Sequence, residues 1–245
     1  MFEYPFRAGG PVNGTASIAV VSLLFLVHHF ICSSKWFGSR TFRKIKPAAL
    51  SVRQVMYRRL LGTLLFGLVP LALVLLVFHE PLKGYGLSVE EFRRSLLFWL
   101  PVAGGIVALN YFLAVSPRNL SMYPQIRNKQ WSGKLLVVSA LGWTGYLAAY
   151  EFLFRGFLLF SCLKSFGPVS ALVINLSIYS LAHVPKGARE TFGSLLFGSL
   201  LCTITLELGS IWFALLTHLT MALSNEWFSL RFQPDMKFVK NDRGG

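Results

Sequence analysis

Apolar residues in this chain are gathered into long unbroken runs, not into alternating or evenly spaced positions. Runs of about twenty residues are what a hydrocarbon core of about 30 Å requires of a helix. Seven runs read as spans, over 15–34, 60–79, 95–115, 135–162, 168–183, 191–206 and 210–230. In lipid, only helices and closed barrels satisfy every backbone polar group. Barrel strands would alternate in units of about ten residues, and these runs do not. The pattern predicts an all-α, polytopic transmembrane helix bundle of about seven spans.

The breaks in the pattern place the ends. Gly167-Pro168 stops the fourth run, since proline cannot continue a helix and glycine readily caps one. Gly142 and Gly145 are expected to kink the same run. The fifth run is short and ends at His183-Val184-Pro185; a short, interrupted helix is tolerated where it lines a protein-enclosed cavity. The leader Met1–Gly14 has one basic residue, and no small-residue cleavage site follows Cys32-Ser33-Ser34, so an uncleaved first helix is expected. No repeat, low-complexity segment or linker divides the chain. One domain is expected, with a three-span segment over 1–134, core helices over 135–230 and a basic tail over 231–245.

Composition agrees with the membrane reading. Of 245 residues 54% are hydrophobic and 14% charged, against about 25% charged in soluble domains. The net charge of +14 would suit a nucleic-acid partner, but no soluble domain remains to carry one. The basic residues instead cluster between spans, where they face membrane lipid. Lys35, Arg40, Arg43, Lys44, Lys46, Arg53, Arg58 and Arg59 follow the first span without an acid, and Arg118, Arg127, Lys129 and Lys134 follow the third. Arg231, Lys237, Lys240 and Arg243 lie in the tail. Positive-inside logic puts the N-terminus outside and the C-terminus in the cytoplasm, and a bacterial cytoplasmic membrane is the expected location. Cys32, Cys162 and Cys202 show no metal or redox spacing and read as small hydrophobes.

The candidate chemistry lies in the few polar residues inside apolar runs. Glu151 sits in Leu147-Ala148-Ala149-Tyr150-Glu151-Phe152-Leu153-Phe154-Arg155-Gly156. A charge at the bilayer centre costs at least about 2.5–3.5 kcal/mol, so it is expected to face inward and hold a partner. Arg155, four residues on, lies on the same face. His183 ends the fifth span, and His218 lies in the seventh with Asn225 two turns beyond it. Two histidines and a carboxylate on three spans could act as a general acid–base site or hold a divalent metal such as zinc, through His183 and His218, without requiring one. His28, His29 and Asn110 read as packing or interfacial residues, and Glu207 as a solvated turn acid.

At these residues the sequence resembles the CPBP family of CAAX-protease and bacteriocin-processing membrane endopeptidases. That family carries Glu-Glu-x-x-x-Arg, Phe-x-x-x-His and His-x-x-x-Asn in order on successive helices. Tyr150-Glu151-x-x-x-Arg155-Gly156, Tyr179-x-x-x-His183 and His218 follow the same order from about residue 135 to 230. The resemblance implies an intramembrane endopeptidase acting on a peptide or membrane-protein substrate. In it, Glu151 would activate water, His183 would act as acid or metal ligand, and His218 with Asn225 would stabilise the oxyanion; Arg155, Tyr150 and Tyr179 would support them. Two positions depart from the pattern. Tyr150 stands where the family has its first, water-activating glutamate, and Ala222 where it has the asparagine. The alternatives are a catalytically inactive member serving as a scaffold or bacteriocin-immunity protein, and a small transporter using the same buried groups.

Overall fold

A computed structural model describes residues 11–34 and 47–239 of the chain. Helix α1 (Pro11–Ser33) is followed by α2 (Pro47–Thr63), which continues through a π-helical turn (Leu64–Leu68), a short α turn (Val69–Ala72) and a second π turn (Leu73–Val77). Pro70 lies between the two π turns. Proline lacks the N–H that an α-helical ladder needs, and widened turns are one way a helix absorbs that loss. Helices α3 (Glu90–Ala114) and the short α4 (Pro117–Met122) come next. The two-residue strand β1 (Gln130–Trp131) leads into α5 (Gly133–Glu151), which runs on as a π-helical segment (Phe152–Leu158) into α6 (Leu159–Leu181). Helices α7 (Ala188–Leu208) and α8 (Trp212–Phe232) and the strand β2 (Lys237–Phe238) complete it.

The all-α bundle expected from the apolar runs is what forms. Five helical stretches among the described residues are long and apolar enough to cross a membrane: Val12–Ser33, Ser51–Val77, Leu82–Ala114, Gly133–Leu181 and Ala188–Leu208. The fourth of these contains both the fourth and fifth expected spans. They turn at Gly167, whose φ of 80° and ψ of 171° break the helix before Pro168. The outward faces are apolar: Phe112, Leu76 and Leu196 are 71–79% exposed, as residues facing hydrocarbon should be.

Two local expectations are corrected. Gly142 and Gly145 do not kink α5, which is regular across them; they let α2 approach. A Cβ on Gly142 would stand 2.6 Å from the Met56 side chain, and one on Gly145 3.3 Å from that of Thr63. The departure from α geometry comes later, at Phe152–Leu158. Gly156 within it fits the same logic, since a Cβ there would meet the Tyr85 carbonyl at 3.0 Å. The second correction concerns Arg59, grouped with the loop cations by charge. It is a residue of α2, only 4% exposed.

Helix α8 packs on α3 and α5, α2 on α5, and α6 on α1 and α7. The core is built around the π segment, whose Leu153, Phe154, Phe157 and Leu158 are all inaccessible, together with Val21 and Phe66 of α1 and α2. At one end of α5, β2 pairs in parallel with β1, with Lys237 N–H donating to Lys129 C=O at 2.8 Å. That ladder ties the chain after α8 to the start of α5. The cations Lys35–Lys46, Lys240 and Arg243 lie outside the described residues.

Candidate functional site

Glu151 ends α5 and Arg155 lies inside the π segment, both fully buried. Their four-residue separation brings Arg155 Nη1 to 3.4 Å from Glu151 Oε1. The same carboxylate oxygen accepts a hydrogen bond from His218 Nδ1 on α8. One oxygen thus receives an arginine and a histidine, while Glu151 Oε2 has no hydrogen-bond partner. Arg155 is also short of acceptors: its Nε and Nη2 are buried and unpartnered. Its guanidinium lies over the Tyr179 ring, 4.1 Å from the centroid, a cation–π contact that partly replaces water around the charge.

Tyr179 carries the site to the end of α6. Its ring centroid is 4.6 Å from that of His183, whose Nδ1 donates to the Tyr179 carbonyl at 2.8 Å. A carbonyl can only accept, so Nδ1 carries the proton, and in the neutral ring Nε2 is left as a base. The same reasoning applies to His218, whose Nδ1 faces a carboxylate. Glu151, Arg155, Tyr179 and His183 therefore form one contiguous set, with His218 joining at the carboxylate.

The remaining expected residues lie around this set. Tyr150 is buried in an aromatic cluster, its ring 4.8–6.2 Å from those of Phe154, Tyr146, Tyr179 and Phe66. Asn225 is seven residues from His218, about 10 Å along an α-helix, and makes no hydrogen bond to Glu151, His183 or His218. Ala222 packs among Trp143, Leu147 and Leu215. Of the weaker candidates, Asn110 donates to Met221 C=O and Ser224 Oγ at 2.9 and 2.8 Å, joining α3 to α8. His28 Nε2 lies 3.2 Å from the Arg58 carbonyl, joining α1 to α2.

Sequence reasoning missed two features. Asn175 of α6 is inaccessible; its amide donates to the Phe154 carbonyl at 2.6 Å and accepts from Cys202 Sγ at 3.2 Å. It thus braces the π segment between Glu151 and Arg155 from the side. The signal was there: an amide inside an apolar helix must find partners. The second is a polar cluster lower on the same helix pair. Ser139 Oγ donates to Glu226 Oε1 at 2.7 Å, and Arg59 Nη1 donates to the Ser139 carbonyl at 2.9 Å. Arg59 Nη2 lies 3.6 Å from Glu226 Oε1, and the guanidinium covers Trp143 at 4.1 Å. Glu226, eight residues beyond His218, was a second carboxylate within a predicted span.

Among the described residues no three His, Cys, Asp or Glu side chains are grouped to hold a metal ion. Glu151 Oε1, the oxygen nearest His218, is also occupied by the Arg155 cation, which opposes a second positive charge there. The donors do not fit a metal.

The model of one protein family, described as type II CAAX prenyl endopeptidase Rce1-like, matches residues 131–224. The match runs from Trp131, just before α5, to the middle of α8 and takes in Glu151, Arg155, His183 and His218. No curated protein and no solved structure matches the chain.

Proposed function

We propose, for a chain that belongs through residues 131–224 to the type II CAAX prenyl endopeptidase Rce1-like family, that it is an intramembrane endopeptidase with Glu151 as general base. The observation that carries this reading is the free oxygen of Glu151. A buried acceptor left without a partner costs about 1–3 kcal/mol, so Oε2 is the place where a water would be held. Arg155 and His218 on the other oxygen fix the orientation of the carboxylate.

In this mechanism Glu151 takes a proton from the water as its oxygen attacks the peptide carbonyl. Glu151 then hands that proton to the nitrogen of the scissile bond as the C–N bond breaks, directly or through His183 Nε2, which accepts it and passes it on, while His218 Nδ1–H stays bonded to Glu151 and holds the carboxyl in place. His183 is held in one tautomer by the Tyr179 carbonyl and is ready for this. Tyr179 acts by holding both Arg155 and His183 in place. Asn225, the amide expected to share the oxyanion with His218, is given no step. The substrate would be a peptide segment of a membrane protein, and the basic connections would face the cytoplasm with the N-terminus outside.

One observation favours a second reading, a member that keeps the fold without the chemistry. Tyr150 stands where the family has its water-activating glutamate, and its ring is packed into an aromatic cluster. The two readings separate in proteoliposomes supplied with a membrane-protein library. If Glu151 is the base, wild type cleaves, Glu151→Gln abolishes cleavage while still folding, and Tyr150→Phe has a modest effect. Cleavage that survives Glu151→Gln would falsify the carboxylate mechanism. No cleavage by wild type, with activity gained in Tyr150→Glu, would establish the inactive member.

A further inference from the structure

A cavity of about 270 Å³ lies between α5 and α8, at the end of the pair away from Glu151. Trp131, Leu136, Ala140, Trp143, Leu223 and Trp227 line it, with Ser139 and Glu226 in its wall. Ser139 precedes Glu151 by twelve residues, about 18 Å along a helix; the cavity is separate from the candidate active site. It is not sealed inside the bundle. Val137 and Trp227, both among its lining residues, are 59% and 55% exposed on the outer surface. In a membrane-spanning bundle that surface meets lipid, so the cavity is continuous with the hydrocarbon around the protein.

Its rim is basic. Lys134 lies three residues before Val137 on α5, and Arg231 four residues after Trp227 on α8. These spacings put each cation one turn beyond a lining residue on the same helix face. The β1–β2 ladder then pairs Lys237 with Gln130, which stands between Lys129 and the lining residue Trp131. All four cations are exposed, and none forms an ion pair with a described residue. The one lining carboxylate, Glu226, does not oppose an anion there, because Arg59 lies against it at 3.6 Å.

An apolar cleft open to the bilayer, with unpaired cations at its interfacial end, has the chemistry of one occupant. We propose that it binds an anionic phospholipid of the surrounding leaflet, with an acyl chain between α5 and α8 and the phosphate among Lys129, Lys134, Arg231 and Lys237. Basic pockets between spanning helices bind anionic headgroups in this way. Each cation near such a surface contributes a factor of about five in binding. The inference needs the bundle to span a membrane and does not depend on peptidase activity.

The test is photocrosslinking of the full chain in bilayers, using phosphatidylglycerol or phosphatidylcholine with a diazirine in the acyl chain. Labelled peptides are mapped by mass spectrometry. Phosphatidylglycerol should label the Leu136–Trp143 and Leu223–Trp227 stretches several-fold more than phosphatidylcholine at equal content. Changing Lys129, Lys134, Arg231 and Lys237 together to Gln should bring the two lipids level. Filling the cleft with Ala140→Phe, or blocking its mouth with Val137→Trp, should reduce label there without changing it on the exposed faces of α3 and α7. Size-exclusion profiles identical to wild type qualify each variant. Equal labelling by the two lipids in wild type overturns the proposal. So does label in the cleft that survives both blocking variants.

Discussion

Replacing Arg155 with methionine tests whether the buried pair is held together by charge. Glu151 and Arg155 are both inaccessible, and in Arg155→Met the carboxylate would keep only its bond from His218. Removing one partner of a buried ion pair costs about 3–5 kcal/mol, because the other charge is left uncompensated. The guanidinium over Tyr179 adds a desolvated cation–π contact of about 2 kcal/mol, so the loss should fall at the upper end of that range. Removing both charges, in Glu151→Gln with Arg155→Met, leaves no stranded charge, and such replacements are often close to neutral. The double variant should therefore be more stable than Arg155→Met alone. Contacting residues couple by about 0.5–3 kcal/mol, and the coupling here should be near the top of that span. Equilibrium unfolding in mixed detergent micelles, followed by circular dichroism, gives all four corners of the cycle. Tyr179→Phe, which keeps the ring, is the control and should leave the coupling intact. A loss below about 1 kcal/mol for Arg155→Met, or a double variant no better than the sum of the singles, would refute the reasoning.

Two further outcomes are expected. Asn175→Leu removes the donor to the Phe154 carbonyl and leaves Cys202 Sγ without its acceptor; it should destabilise the fold by about 1–3 kcal/mol and accelerate alkylation of Cys202. Unchanged alkylation would show that the amide is not the brace. For topology, cysteines placed at Ser39 and Gly244 should resist impermeant reagents added outside intact cells and react after permeabilisation; external labelling overturns a cytoplasmic location for those segments.

The apolar runs were enough to read the bundle because a spanning helix must be apolar along its length, whatever it packs against. The Glu151–Arg155 pair was equally readable, since a charge in such a run needs a partner and helical spacing supplies the nearest one. What pairs across helices was not. Arg59 sits in a basic stretch, and charge alone grouped it with the loops; only packing of α2 on α5 reveals that it meets Glu226 and Ser139. The close approach itself follows from Gly142, read from sequence as a kink because a glycine in a helix gives the same signal for flexibility and for proximity. The π segment left no mark in the residue pattern, and Asn175, which braces it, comes twenty-one residues after Phe154. Tyr150 was legible as a departure, though its place in an aromatic cluster depends on rings from α2 and α6.

The widened ladder over Phe152–Leu158 also sets the phase of the chain. Each residue of an α-helix turns about 100°, so an extra residue accommodated in a π turn rotates everything after it relative to everything before. Helix α5 and the first half of α6 can therefore each keep an inward face although no single unbroken period links them. Deleting one residue after Arg155, at Phe157 for example, would let the ladder close as an α-helix. The Glu151–Arg155 spacing would survive, while Ser161 and Cys162 would swing away from their present places. Insertions and deletions in this stretch, rather than substitutions, are then the changes by which such a helix would exchange one buried face for another.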